Sequence, residues 1–133
     1  MLKEEEYRFW YCSLIRVGIV IRNRLKESLG SPEGVYREQK GAVEQLLGPF
    51  YPEHTVERVW GELERSRREE VIRRGHARMK ELGIRLVMAG EEGFPEGLLT
   101  LPDCPSGLFV KGELPAAGAP AAAVVGSREC SYY

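Results

Sequence analysis

Residues 123–131 read Ala-Val-Val-Gly-Ser-Arg-Glu-Cys-Ser, and this stretch decides the predicted fold. The apolar run Ala121–Val125 shows no alternation with polar residues, which predicts a strand covered on both faces. Gly126 and the small polar residues after it predict a turn that opens a helix, as in α/β proteins. We therefore predict the α/β fold class.

The turn after this strand is a candidate phosphate site. Free amides at a helix N-terminus bind anions, and Gly126 has no side chain to obstruct a phosphate. Ser127 adds a hydroxyl donor, Arg128 adds a planar charged fork, and Ser131 either caps the helix or donates as well. The alternative is an ordinary strand-to-helix turn with a surface arginine. The pattern is neither GxGxxG nor a Walker loop, so it does not specifically indicate a dinucleotide or triphosphate site.

Two more strands are predicted upstream, Ile84–Met88 and Gly107–Lys111, with a loop and one helical turn after Pro95 between them. Before residue 82, apolar residues recur at helical spacing and charges are dense. The predicted organisation is a helical domain over residues 1–82, followed by an α/β segment over residues 83–133.

The helical part carries clear start and stop signals. One buried face is predicted from the spacing of Tyr7, Trp10, Tyr11, Leu14 and Ile15. Gly30 predicts a helix end, and Ser31-Pro32-Glu33 predicts the next start. Residues 42–47 predict another short helix, and Thr55 is expected to cap a long helix over residues 56–82 that ends at Gly83.

Five arginines crowd the middle of that long helix: Arg65, Arg67, Arg68, Arg73 and Arg74. They are either a strip that faces phosphates or a solvated face of ion pairs spaced four residues apart. The glutamates at 62, 64, 69 and 70 nearly balance them, which favours the ion pairs. Trp10, Tyr11 and Trp60 could stack on bases, but their helical spacing favours a core.

Composition narrows the class of protein. The chain is 43% hydrophobic and 29% charged with a formal net charge of −1, so any nucleic-acid contact needs a local basic patch. The three cysteines, at 12, 104 and 130, form no CxxC pair, and His54 and His76 lack matching ligands nearby. No signal peptide or membrane span is indicated. We expect a cytoplasmic protein without metal, cofactor or catalytic nucleophile.

In their order and spacing, several short motifs resemble the DprA (Smf, DNA processing protein A) family. The motifs are Gly83-Ile84, Phe94-Pro95 with Leu98, Pro102-Asp103-Cys104-Pro105, Leu108-Phe109-Val110-Lys111-Gly112, Val124-Val125-Gly126-Ser127-Arg128, and Ser131-Tyr132. The resemblance implies an extended Rossmann-like fold that binds single-stranded DNA and passes it to RecA in natural transformation. It makes Gly126, Ser127 and Arg128 phosphate-binding residues, and it implies a homodimer, no cofactor and no enzymatic activity.

Three departures from the family pattern qualify that expectation. The family continues beyond the Gly-Ser-Arg loop, so we interpret the chain as a fragment that lacks the later DNA contacts and the dimer surface. Phe94 replaces a tyrosine, and the loop before it lacks the usual aspartate. Residues 17–20 read Val-Gly-Ile-Val where a helix-hairpin-helix has Gly-x-Gly, so the helical domain is predicted to be SAM-like or a degenerate hairpin.

Two other functions remain open at this point. One is a nucleotide-binding Rossmann-like enzyme, because fold does not fix function. The other is a helical domain that serves only as a protein-interaction module. We expect salt-sensitive DNA binding through Arg128 in a chain that completes the fold, and little or none by these residues alone.

Overall fold

The computed structural model of the chain describes residues 1–129 and 131–132. Over these residues the protein is α/β, with seven helices and one two-stranded antiparallel sheet. The helices are α1 Glu4–Cys12, α2 Ile19–Leu29, α3 Pro32–Arg37, α4 Lys40–Leu47, α5 Glu53–Ser66, α6 Glu69–Glu81 and α7 Glu96–Leu99. The strands are β1 Ile84–Met88 and β2 Gly107–Lys111.

Helix α1 buries most of the face that its spacing predicts, but Ile15, which follows the helix, is 85% exposed, so its prediction as a buried residue is wrong. Tyr7, Trp10 and Tyr11 lie in the main hydrophobic core together with Leu14. The Trp10 indole Nε1 donates a hydrogen bond to Ser66 Oγ at 2.9 Å, which satisfies its one polar atom. These aromatics are therefore core residues and are not available for stacking on bases.

A buried arginine fastens α2 to the end of α1. Arg22 Nη1 lies 3.3 Å from the carbonyl oxygens of both Tyr11 and Cys12 and donates to them. The Tyr11 hydroxyl donates in return to the Arg22 carbonyl oxygen at 2.6 Å. Carbonyl groups at a helix end lack partners within the helix, so these bonds satisfy groups that would otherwise be buried without one. No local sequence pattern predicts that the Arg22 side chain turns inward.

The boundary between α2 and α3 follows the predicted signals. Gly30 ends α2 in the left-handed region at φ +83°, where a glycine has no Cβ penalty. The Ser31 hydroxyl accepts a hydrogen bond from the Gly34 amide at 3.0 Å, and Pro32 occupies the first helical position. Both predictions are confirmed.

The predicted long helix over residues 56–82 is wrong, because the chain breaks it into α5 and α6. The break lies at Arg67, whose ψ of 56° is not helical. Its guanidinium donates to the Val35 carbonyl oxygen at 3.0 Å and lies 4.9 Å from the Trp60 ring centroid. Thr55 is not the cap either, since α5 begins at Glu53. The dense charge of residues 65–74 gives no sign that Arg67 is half-buried and stabilises a turn.

The sheet packs on the helices through one of its faces. Strands β1 and β2 pair with Leu86 opposite Phe109, and Met88 joins the main core. The other face carries a smaller cluster built on Val87, Val110 and Phe94. Two of the three predicted strands are thereby confirmed, with their predicted bounds.

The third predicted strand, Ala121–Val125, is absent. These residues have no regular structure and are exposed in the chain as described. A strand covered on both faces needs a packed layer on each side. In the described residues, Ala121–Val125 pairs with neither edge of the β1–β2 sheet, so this run lies outside the sheet and its packed layers.

Candidate nucleic-acid interface

The predicted phosphate-binding residues lie in an exposed segment that follows β2. Beyond Gly112 the chain runs through Ala- and Pro-rich residues to Gly126, Ser127 and Arg128 without forming a helix or strand. Every described residue from Ala116 onward is exposed. The motif is therefore freely accessible, and it is held by few contacts.

One local hydrogen bond shapes the Gly-Ser-Arg segment. The Glu129 amide donates to Ser127 Oγ at 3.3 Å, where the chain bends. A serine hydroxyl that accepts from an amide two residues later forms a small turn of its own. The Ser127 hydroxyl hydrogen remains able to donate to an anion.

Gly126 is not required by packing in this structure. A Cβ built at Gly126 would meet no atom within 4 Å, and its φ lies outside the left-handed region. By contrast, a Cβ at Gly107 would lie 2.9 Å from Cys12 Sγ and 3.1 Å from the Val87 carbonyl oxygen. Gly126 is therefore free to serve an approaching ligand, whereas Gly107 serves the core.

The helix amides that were expected to complete the site are not present in the described residues. Arg128 and Ser131 are both exposed, and the described chain around them contains no helix. Arg128 forms no ion pair with another described residue. Cys130 lies outside the described residues, so the expectation that its thiol is not a catalytic nucleophile stays a prediction.

The arginine-rich helix surface is confirmed as mainly ion-paired. Arg73 pairs with Glu69 at 3.0 Å and Arg74 with Glu70 at 2.8 Å, each spaced four residues apart. Arg65 pairs with Glu62. With its charges matched along α6, this helix offers little net charge to a phosphate chain.

The histidines hold no metal site among residues 1–129 and 131–132. His54 is exposed at the start of α5. His76 packs against the Phe9 ring at 5.8 Å between centroids, with Nε2 at 3.8 Å from the Glu5 carboxylate. Within the same part of the chain, no helix is long and apolar enough to cross a membrane.

Comparison with known families bears on this same segment. Residues 85–133 match the family model of DNA recombination-mediator protein A. Over these residues the chain is similar to that family. The match includes β2, β1 from Arg85 onward, Phe94-Pro95 and the Gly-Ser-Arg motif, and it leaves α1 to α6 outside. Neither a curated protein nor a solved structure matches the chain.

Proposed function

We propose that this chain belongs to a cytoplasmic protein that binds single-stranded DNA and passes it to RecA during natural transformation. Gly126, Ser127, Arg128 and Ser131 are the proposed phosphate contacts. The observation that carries the proposal is that the family match extends across this motif while the motif itself is exposed. The role is that of a mediator, without catalysis, cofactor or metal.

The chemistry of the segment suits a phosphate backbone. Arg128 offers two parallel donors to phosphate oxygens, and Ser127 offers a hydroxyl beside it. Gly126 leaves room for a phosphate to reach the backbone amides. None of these contacts reads a base, so the proposed binding is independent of sequence.

Oligomeric state and the RecA contact follow the family resemblance. We propose that the protein acts as a homodimer through its Rossmann-like part, as that resemblance implies. An incomplete sheet exposes strand edges that invite pairing with another chain. The edges of β1 and β2 that face away from each other are such edges in the described fold.

Fluorescence anisotropy with a labelled oligo-dT tests the proposal at low and moderate salt. Any binding by the wild-type chain is expected to be very weak and to fall as salt rises, because binding to phosphates releases counterions. Arg128→Ala should weaken binding and reduce the slope of log K against log salt by about one. Arg128→Lys should bind at an intermediate level, because it keeps the charge without the fork.

Arg74→Ala is the matched control, since it removes the same charge from an exposed ion pair on α6. It should leave binding unchanged. If wild-type and Arg128→Ala chains bind equally well, Arg128 is not the phosphate contact. If the folded wild-type chain shows no binding at low salt, these residues do not bind single-stranded DNA.

A further inference from the structure

The loop between α4 and α5 presents an aromatic ring to solvent. Phe50 is 60% exposed, although phenylalanine is usually buried. The Arg24 guanidinium from α2 lies 3.8 Å from the Phe50 ring centroid. At that distance it covers one face of the ring as a cation–π pair, which fixes the ring in place. Most of the ring remains accessible.

Two further arginines, Arg16 and Arg58, lie in the loop before α2 and in the first half of α5. Arg58 Nη1 donates to the Arg16 carbonyl oxygen at 2.8 Å, which joins the start of α5 to the loop before α2. Arg16 lies 3.8 Å from the Glu62 carboxylate, and the same carboxylate is already paired with Arg65. One glutamate therefore serves two arginines here, whereas Arg73 and Arg74 on α6 each have a glutamate four residues before them.

Two of the arginines in this region lack an acidic partner among the described residues. Neither Arg24 nor Arg58 forms a salt bridge there, although Glu27 and Glu53 lie close in sequence. The buried Nε of Arg24 also makes no hydrogen bond to a described residue. The exposed Arg58 is consequently available to an external anion, whereas the buried Nε of Arg24 is not.

Two contacts link these elements: the Arg24 guanidinium lies over the Phe50 ring, and Arg58 donates to the Arg16 carbonyl oxygen. Val20 and Arg24 lie one turn apart on the same side of α2, and Arg16 precedes the helix by a short loop. The six helical residues between Gly18 and Arg24 span about 9 Å, so a few nucleotides would reach across. We call the following set the Phe50 surface: Ile15, Arg16, Val20, Arg24, Phe50 and Arg58.

We propose that the Phe50 surface is a second contact for single-stranded DNA, in addition to the Gly-Ser-Arg segment. A base stacks on the open face of Phe50, while phosphates on either side meet Arg24, Arg58 and Arg16. Base stacking on an aromatic ring contributes about 1–3 kcal/mol and does not depend on sequence. The contact needs no Gly-x-Gly hairpin, because side chains supply the donors. This inference rests on the proposed function and extends it to the helical part.

A single aromatic ring backed by arginine favours nucleic acid over a protein partner. Protein interfaces centre on a desolvated apolar core with a polar rim. Here the aliphatic residues, Ile15 and Val20, are isolated at the margin, and Ile15 is 85% exposed. The Arg24 guanidinium, by contrast, lies against the ring itself.

Ultraviolet cross-linking of the full chain to oligo-dT, followed by peptide mapping, locates the contacts independently of one another. We expect cross-linked peptides that contain Phe50 and residues 15–24, together with a separate set from residues 126–131. Phe50→Leu keeps an apolar side chain and removes the ring, so it should reduce the first set severalfold and leave the second. Arg24→Ala with Arg58→Ala should weaken binding about tenfold, whereas Arg74→Ala should not. Circular dichroism melting checks that each variant is folded.

The outcomes separate the two proposals. The Phe50 surface is overturned if cross-links are confined to residues 126–131 and if Phe50→Leu and the double arginine variant leave binding unchanged. That result does not affect the proposed function. Cross-links confined to the Phe50 surface support this inference and reject the Gly-Ser-Arg contact. No cross-link anywhere in the folded chain overturns both.

Discussion

Two regions of the molecule hold their polar groups in opposite ways. One is the joint between α1 and α2, formed by Tyr11 and Arg22, and the other is the exposed segment around Gly126. At the joint, Arg22 and Tyr11 are buried and are linked to each other and to the end of α1 through three hydrogen bonds. Around Gly126, the one side-chain hydrogen bond among the described residues is local, from the Glu129 amide to Ser127. The joint is rigid because many groups depend on each other, and the segment is accessible because few do.

This difference shows where a ligand would add order. Stability in a protein is uneven, and segments with few buried contacts open at little cost. A phosphate bound at Ser127 and Arg128 would meet side chains that must first give up conformational freedom, which lowers affinity. Phe50 and Arg24 already hold each other at 3.8 Å, so that contact is better organised before binding.

The largest expected contrast in stability is between Leu63 and Val124. Leu63 is fully buried in the core between helices, whereas Val124 is fully exposed. Leu63→Ala should lower the free energy of unfolding by about 2–5 kcal/mol, because it removes buried methyl groups and leaves a cavity. Val124→Ala should change it by less than about 0.5 kcal/mol. Urea unfolding followed by circular dichroism measures both values.

A comparable loss in the two variants would contradict the contrast. It would mean that the segment around Val124 is packed against the core in solution. Equal slopes of the unfolding curves against urea are needed for the comparison, because a change in slope signals a change in the exposed area.

The sequence predicts the elements of this fold better than their packing. Caps and strands are recoverable because their signals are local: Gly30 needs a left-handed conformation, and Ser31 binds an amide three residues ahead. The break at Arg67 is not local, since it depends on contacts to Val35 and Trp60. Likewise, the inward turn of Arg22 depends on carbonyl groups ten and eleven residues away.

The candidate site was only partly predictable for the same reason. The Gly126–Arg128 motif is contiguous in sequence and matches a family model that includes it. The Phe50 surface combines two loops with two helices, and no sequence pattern joins Phe50 to Arg24. The failed prediction of a strand at Ala121–Val125 shows the converse, since an apolar run specifies a buried strand only where other layers exist to bury it.

A second contrast compares the effect of an added Cβ at two glycines, Gly107 beside the core and Gly126 in the exposed segment. Gly107→Ala should lower the free energy of unfolding by about 1–3 kcal/mol, because its new Cβ would press on Cys12 Sγ and the Val87 carbonyl oxygen. Gly126→Ala should leave stability unchanged, since no atom lies within 4 Å of its Cβ. It should weaken oligo-dT binding if a phosphate approaches the Gly126 backbone. Thermal melting and anisotropy on the same samples separate the two effects.

Identical melting of the two variants would reject this contrast. A Gly126→Ala chain that melts normally and binds as tightly as wild type would show that the phosphate does not approach this backbone closely. In that case Ser127 and Arg128 would contact the strand through side chains alone.

The smallest expected effect concerns pH and distinguishes the buried joint from the rest of the chain. Burial raises the pKa of Cys12 from 9.0 to about 11 and that of Tyr11 from 10.0 to about 12. Above pH 9 the unfolded chain releases these protons while the folded chain retains them. The free energy of unfolding should therefore be fully retained below pH 9 and then fall with rising pH, by at most about 1.4 kcal/mol per unit for each group.

Cys12→Ala isolates the thiol within that decline. Between pH 9 and pH 10, urea unfolding should show a shallower loss of stability in this variant than in wild type, because one of the two buried groups no longer titrates. Cys104→Ala is the control, since Cys104 lies outside the main core and is only half-buried. If Cys12→Ala declines as steeply as wild type, the thiol does not retain its proton on folding. The end of α1 would then admit water. In that case the joint would not be the rigid region that its contrast with the exposed segment requires.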